Sequence, residues 1–169
     1  MPDATGLELT AQELSEAVPD SILGTEFYRG RATLLVSPDK AHDAVERLKG
    51  KGYGFLASLH GVDYYPDEPR LGILYELLDM ERVDRISVKA RVHTDSPNIA
   101  TVTDLWRGAD FPEREVYDMF GVVFEGHPDM RRILMPEDYE GFPQRRDFPV
   151  GGEPVLFTYN EENSYGKWQ

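Results

Sequence analysis

A chain of 169 residues is about one domain's worth of sequence, and its 40% apolar and 11% aromatic content is enough to build a core. A formal charge of −13 argues against a nucleic-acid surface and against an anionic lipid surface, since both need clustered lysine and arginine. Cysteine is absent, which excludes disulfides, thiolate zinc sites, cysteine-ligated iron–sulfur clusters and a cysteine nucleophile together.

Near the start, Thr10 with Glu13 three residues on reads as a capping box, and Leu14, Ala17 and Val18 give a helix over 11–18 one apolar face before Pro19 ends it. Residues 22–28 and 31–36 flank Arg29 and Gly30 as the arms of a β-hairpin. Ser37 as N-cap, Pro38 at the first helical position and Gly50 after Lys49 bracket a helix with a buried stripe of Ala41, Ala44, Val45 and Leu48. Three extended segments follow at 54–65, 71–79 and 85–92, and in the last of them Ile86, Val88, Ala90 and Val92 alternate with polar neighbours, so the three read as a meander. A second helical region is expected to start after Ser96 and Pro97 and run through Ile99, Val102, Leu105 and Trp106; Pro112 opens a shorter helix to about Phe120.

The order α-β-β-α-β-β-β-α predicts an α+β fold: a two-layer domain, a mixed and mainly antiparallel sheet with its helices on one face. Residues 1–120 form the scaffold in this reading, and 121–169 an extended, irregular C-terminal strap, too polar and too rich in proline to make a core of its own. No apolar h-region follows Met1 and no run of 18 apolar residues occurs, so the chain is expected to be soluble by itself.

Candidate chemistry is sparse. His42, His60, His93 and His127 show neither H-x-H nor H-E-x-x-H spacing, and their simplest reading is exposed or locally bonded imidazole, with His42 on a helix surface and His60 and His93 at strand ends. The glycines at 50, 52, 151 and 152 complete no phosphate-binding loop, and no serine sits in a G-x-S-x-G elbow. Paired carboxylates such as Glu113 with Glu115, or Glu137 with Asp138, have arginines near them in sequence, so ion pairing is expected to hold them charged and unsuited to acid catalysis.

The densest stretch runs from Phe111 to Pro149, FPEREVYDMFGVVFEGHPDMRRILMPEDYEGFPQRRDFP, and mixes charge, aromatics and proline without strand or helix period. Its fixed positive charges are all arginines: Arg114, Arg131, Arg132, Arg145 and Arg146. The planar guanidinium suits bidentate carboxylate pairing in buried or interface settings, so the stretch reads as one to be fixed against something. Arg114, between two glutamates on a short helix, is expected to make a local ion pair.

Within this stretch the spacing of Glu113, Arg114, Glu115, Asp118, Met119 and Phe120, then His127, Arg131 and the apolar run closing in Pro136, resembles the signature of the C-type subunit of NADH-quinone oxidoreductase (NDH-1), the 30 kDa subunit family of respiratory complex I. EDYEGFPQRRDFP, which contains Arg145, Arg146 and Asp147, is similar to that family's EDWEGHPLRKDYP, with departures at Tyr139, Phe142, Gln144, Arg146 and Phe148. The resemblance is sharp over roughly forty residues and elsewhere rests on element order and on GVDYY at 61–65.

It implies a non-catalytic structural subunit of the peripheral arm of a proton-translocating NADH:quinone oxidoreductase, at the cytoplasmic side of the cell's inner (plasma) membrane, touching that membrane only through the complex. The implied partner is the quinone-site (D-type) subunit, with other peripheral-arm subunits of complex I; FMN and Fe–S clusters lie in partner subunits, and this chain is expected to hold no cofactor, no metal and no catalytic residue. Glu113, Arg114, Glu115, Asp118, Phe120, His127, Arg131, Arg132, Pro136, Arg145, Arg146 and Asp147 are then motif and interface residues. A forty-residue strap reaches about 130 Å when extended, and His127 with Pro128 is expected to form the turn that directs it out of the domain. Same-family subunits of ferredoxin-fed or F420-fed quinone reductases and membrane-bound hydrogenases, or a free-standing acidic binding module, are the competing readings.

Overall fold

The computed structural model describes residues 4–149. Its first element, α1 (Ala4–Ala17), begins well before the expected start. Thr10 is not an N-cap there: its hydroxyl donates to the Gly6 carbonyl at 2.8 Å, one turn back inside the helix. Leu7, Ala11 and Leu14 form the buried stripe, and the acidic Glu13 lies outside it, paired with Lys51.

β1 (Ile22–Tyr28) and β2 (Arg31–Val36) form the expected hairpin, with Arg29 and Gly30 both at positive φ in the connecting turn. Ser37 is extended and makes no side-chain cap; a 3₁₀ turn over Pro38–Lys40 comes before α2 (Ala41–Gly50). The predicted stripe of Ala41, Ala44, Val45 and Leu48 is the buried face of α2.

β3 (Phe55–Asp63), β4 (Leu71–Asp79) and β5 (Asp84–Val92) form the antiparallel meander. The five strands are ordered β1-β2-β5-β4-β3, and only β2 and β5 run parallel, because α2 carries the chain from β2 across to the far edge strand β3. One face is the core: Leu59 of β3, Leu71, Ile73, Tyr75 and Leu77 of β4, Ile86, Val88 and Ala90 of β5, and Leu34 and Val36 of β2 are buried with the stripes of the helices. This is the predicted two-layer α+β arrangement.

The expected helix after Pro97 is absent. Residues 98–100 form β6 (Asn98–Ala100), which pairs in parallel with β7 (Val123–Glu125), and the chain then turns through 101–106. Ile99, Val102 and Leu105 fall every third residue and imitate one face of a helix, but their companion lies 25 residues on, where Phe124 pairs with Ile99. Val122 and Phe124, placed in the strap by the sequence reading, are therefore buried core residues. α3 (Asp110–Phe120) starts two residues before Pro112 and ends at Gly121, whose φ of +75° closes the helix and whose N–H donates to the Tyr117 carbonyl. It lies over β3, where a Cβ on Gly61 would come within 2.5 Å of the Phe120 ring. Among the described residues, no helix is long and apolar enough to cross a membrane.

Candidate functional site

Residues 126–149 have no regular secondary structure, yet they are fixed to α3 and to the β3–β4 loop at three places. Each is a carboxylate or carbonyl buried by the fold and met by a strap donor.

At the start of α3, the first helical turn carries Asp110 and Glu113. Burying Val116, Met119 and Phe120 at about 1.5–3 kcal/mol each holds the helix down, and the same face takes Glu113 into the core. Its oxygens accept the Thr101 hydroxyl at 2.6 Å and the Val102 N–H at 2.7 Å. The His127 side chain is also buried, with Nε2 3.3 Å from the Asp110 carbonyl, 3.6 Å from Asp110 Oδ1 and 3.9 Å from Glu113. His127 Nδ1 accepts the Asp129 N–H across Pro128, so the proton of the neutral ring sits on Nε2, facing the carboxyl groups. Burial pushes the Glu113 carboxyl up to about 7, against the two bonds from Thr101 and Val102 and with help from Asp104 and Asp110. The sequence reading, which held this carboxylate charged through nearby arginine, is overturned here. Arg114 points the other way and donates to the carbonyls of Arg131 and Arg132 instead of pairing with Glu113 or Glu115.

The second fixed point is Asp118. One oxygen accepts three successive backbone N–H groups, from Ile133 (3.1 Å), Leu134 (2.7 Å) and Met135 (2.8 Å). The other takes Arg132 at 2.7 Å, and Arg132 reaches on to the Gly141 carbonyl. Burial works to raise this carboxyl, but the bonds from Met135, Arg132, Leu134 and Ile133 outweigh it and hold it below the usual carboxylate range. Arg131 pairs with Asp129 in solvent, and Pro136 accepts the Tyr139 N–H in a turn.

The third is the C-terminal end of α3 with the β3–β4 loop. Gln144 N–H and Arg145 Nε donate to the Met119 and Phe120 carbonyls, two acceptors the helix leaves open at its end. Arg70 grips Asp63 with Nε and Nη2 (2.7 and 2.6 Å) and Asp147 with Nη1 and Nη2 (2.8 Å each), and the Arg146 N–H adds 2.7 Å to Asp63. The Arg70 guanidinium keeps the Asp63 carboxyl far below its ordinary value and lowers Asp147 as well.

Aromatic side chains close the seams. Phe142 meets Tyr117 edge-on with ring centroids 6.4 Å apart, and Tyr139 stacks on Phe148 at 6.2 Å. The turn at His127 thus sends the chain back along α3, where the sequence reading had it leaving the domain. Of the expected motif residues, Glu113, Arg114, Asp118, His127, Arg132, Arg145, Arg146 and Asp147 are brought into this one seam, Phe120 and Pro136 contribute backbone and packing, and Glu115 and Arg131 face solvent.

The sequence matches the family described as respiratory-chain NADH dehydrogenase, 30 Kd subunit, over residues 34–154. The chain belongs to that family. It is 42% identical over 168 residues to the C-type subunit of NADH-quinone oxidoreductase from Roseiflexus sp. (strain RS-1), covering 98% of this chain and 94% of that protein. To NADH-quinone oxidoreductase subunit 5 of Thermus thermophilus it is 43% identical over 137 residues, 76% of this chain and 66% of that one. Among solved structures, a trypsin-resistant fragment (1-134) of Nqo5 superposes with a TM-score of 0.64 at 35% identity, covering 73% of this chain and 98% of the fragment. A chain of the membrane-bound sulfane sulfur reductase, an archaeal respiratory membrane complex, superposes with a TM-score of 0.71 at 26% identity, covering 94% of this chain and 98% of that one.

As a 30 kDa-family chain, this protein is a subunit of an oxidoreductase complex. The seam on α3 uses the family motif for internal structure: Glu113 and Asp118 hold backbone, and Asp63 and Asp147 share one arginine. Among the described residues, His42, Asp43 and Glu46 bring ligand-type atoms within 4.8 Å of one another on the open side of α2, but His42 Nε2 is engaged by Asp104 at 2.9 Å. His60 lies inside β3 and is exposed; His93 sits beside Glu68 at 3.3 Å. Sequence reasoning missed Asp63, Arg70 and Thr101 as parts of the seam; only the GVDYY segment carried a signal for the first of them.

Proposed function

We propose that this chain is a non-catalytic structural subunit in the peripheral arm of a proton-translocating NADH:quinone oxidoreductase, where it steadies the quinone-site subunit. The complex passes electrons from NADH through FMN and Fe–S clusters carried by other subunits to quinone. The observation that carries the reading is near full-length similarity to C-type subunits, joined to a motif whose charged groups are occupied in holding their own fold. The chain reaches the cytoplasmic side of the membrane through its partners.

Mild detergent extraction of the host membranes, affinity purification on this chain through moderate salt, and mass spectrometry test it. Recovery with a quinone-site subunit, a flavin subunit and iron–sulfur subunits, with NADH-driven quinone reduction, is the expected outcome. Recovery as a lone chain overturns it. The likeness to the archaeal sulfane sulfur reductase chain favours a second reading, the same scaffold in a complex fed by another donor. Quinone reduction that NADH does not drive, in an otherwise complete assembly, would select it.

A further inference from the structure

All three helices pack on one face of the five-stranded sheet, and none of them lies on the other, where Tyr64 of the β3–β4 connection reaches over Gly72. Its residues follow from the strand register. On β5, Arg85, Lys89 and Arg91 point away from the buried row of Ile86, Val88 and Ala90. On β2, Arg31 stands two residues before the Thr33–Ser87 pair, which sets it level with Arg85. The acids on this face are Glu26 and Glu76, so four cations meet two acids and the face is net +2, on a chain of −13. Half-buried Leu35, Leu74 and Val62 form an apolar stripe among them.

The pairing on this face is incomplete. Lys89 holds Glu26 at 2.8 Å, and Glu76 accepts the Ser87 hydroxyl at 2.7 Å. Arg31, Arg85 and Arg91 meet no carboxylate among the described residues, although the chain has 31 acids. Arg31 and Arg85 are exposed like charges side by side on neighbouring strands, an arrangement that costs stability when left unmatched. Arg91 stands over the Tyr64 ring at 4.6 Å, and its Nε and Nη2 are buried without a hydrogen-bond partner. Tyr64 itself lies across Gly72, where a Cβ would come within 2.5 Å of the ring, so glycine there lets the aromatic platform lie close to the sheet.

We propose that this helix-free sheet face is a docking surface for an acidic protein surface: a neighbouring subunit that presents carboxylates to the exposed Arg31 and Arg85 beside an apolar patch that covers Leu35 and Leu74. The proposal rests on the reading of the chain as a subunit of a complex and deepens it by naming a second surface, on the far side of the sheet from the strap seam. A protein is the fitting occupant. Arginine pairs carboxylates in two parallel bonds, and the half-buried Leu35, Leu74 and Val62 set among the cations call for apolar side chains, which a protein surface offers beside its carboxylates and a phosphate backbone does not.

The test uses the tagged full chain expressed in its host, extracted and washed as above. Arg31→Glu with Arg85→Glu reverses two exposed charges that support nothing in the fold, and Arg47→Glu on the outside of α2 is the control of equal sign. The expected result is at least a tenfold drop in co-purified subunits for the double variant, wild-type recovery for Arg47→Glu, and unchanged thermal unfolding of both full chains. Undiminished recovery of the double variant, or equal loss in Arg47→Glu, overturns the docking surface while membership of the complex stands. A wild-type chain that recovers no other subunit overturns membership and this surface with it.

Discussion

Arg70 and Asp147 lie 77 residues apart in sequence and meet through two 2.8 Å bonds, while the same guanidinium grips Asp63 from its other side. One side chain thus ties the β3–β4 loop to the end of the described strap. Arg70 and Asp63 are both nearly inaccessible, at 6% and 8% exposure, so losing the cation leaves a buried carboxylate with no counter-charge and only the Tyr65 and Arg146 N–H groups to hold it. Arg70→Ala is expected to cost about 3–5 kcal/mol in urea unfolding. Asp147→Asn, at a half-exposed carboxylate, is expected to cost about 1 kcal/mol or less. Comparable losses from the two substitutions would show that the clamp is organised around Asp147 and not around the Asp63 pair.

Asp118 offers a proteolysis test. Its two oxygens satisfy three strap amides and Arg132, so Asp118→Ala strands four donors at once, at about 1–3 kcal/mol for each that stays dry. The strap is expected to come free there before the sheet unfolds, and trypsin is expected to cut after Arg131 and Arg132 at least ten times faster. Asp118→Asn should sit between, because an amide oxygen still accepts the backbone donors. The folded carboxyl is held below its unfolded value of 3.8, so its contribution is present above that pH and is lost as pH falls through the lower folded value. Wild-type cleavage at these arginines should therefore rise on acidification below about pH 4, with an acid-stable protease as the probe.

Glu113 runs the opposite way. Its folded value near 7 stands above the 4.5 of the free side chain, so the folded chain binds the extra proton between those limits. The stability this provides is fully present below 4.5 and is lost as pH rises through 7. The difference is on the order of 3 kcal/mol. Denaturant unfolding at pH 5 and pH 8 should show the wild type losing stability over that interval, and Glu113→Gln should flatten the profile. Gln keeps an oxygen for the Val102 N–H and turns its amide toward Thr101, whose hydroxyl has Thr103 as an alternative acceptor at 2.9 Å. A variant whose pH profile matches the wild type would place the titration elsewhere.

The elements with local signals were legible in the sequence. α2 has Pro38 before it and its apolar spacing within it, and β5 alternates along its length, so both were found from neighbouring residues alone. β6 was not, because a three-residue strand takes its identity from β7, and the helix-like spacing of Ile99, Val102 and Leu105 points the wrong way. The arginines of the 111–149 stretch stood out in the sequence as residues to be fixed against something, but their targets were not visible there, and Arg131 meets only Asp129 in solvent. Arg132 finds Asp118 fourteen residues back, Arg145 finds a helix-end carbonyl, and Arg114 finds backbone oxygens of the strap. Such partners depend on where Gly121 and the His127 turn send the chain, which composition does not encode.

The seam between α3 and β3 gives a packing test. Gly61 faces the core on β3, and a methyl group there would stand 2.5 and 2.7 Å from two atoms of the Phe120 ring, too close for any real contact. Phe120 has little room to yield, since its carbonyl holds Arg145 at 2.6 Å and the next residue, Gly121, is pressed by the Phe142 ring. Gly61→Ala is expected to destabilise by about 1–3 kcal/mol through overpacking. Phe120→Leu alone opens space and costs a similar amount. Together they should cost less than their sum, with a coupling of about 0.5–3 kcal/mol, because the smaller side chain makes room for the added methyl. Strap cleavage should follow the same pattern, raised in Gly61→Ala and reduced again in the double variant, since displacement of Phe120 moves the carbonyl that Arg145 grips. Simple additivity in the cycle would mean that α3 shifts as a rigid body away from β3, and that the strap is held independently of this contact.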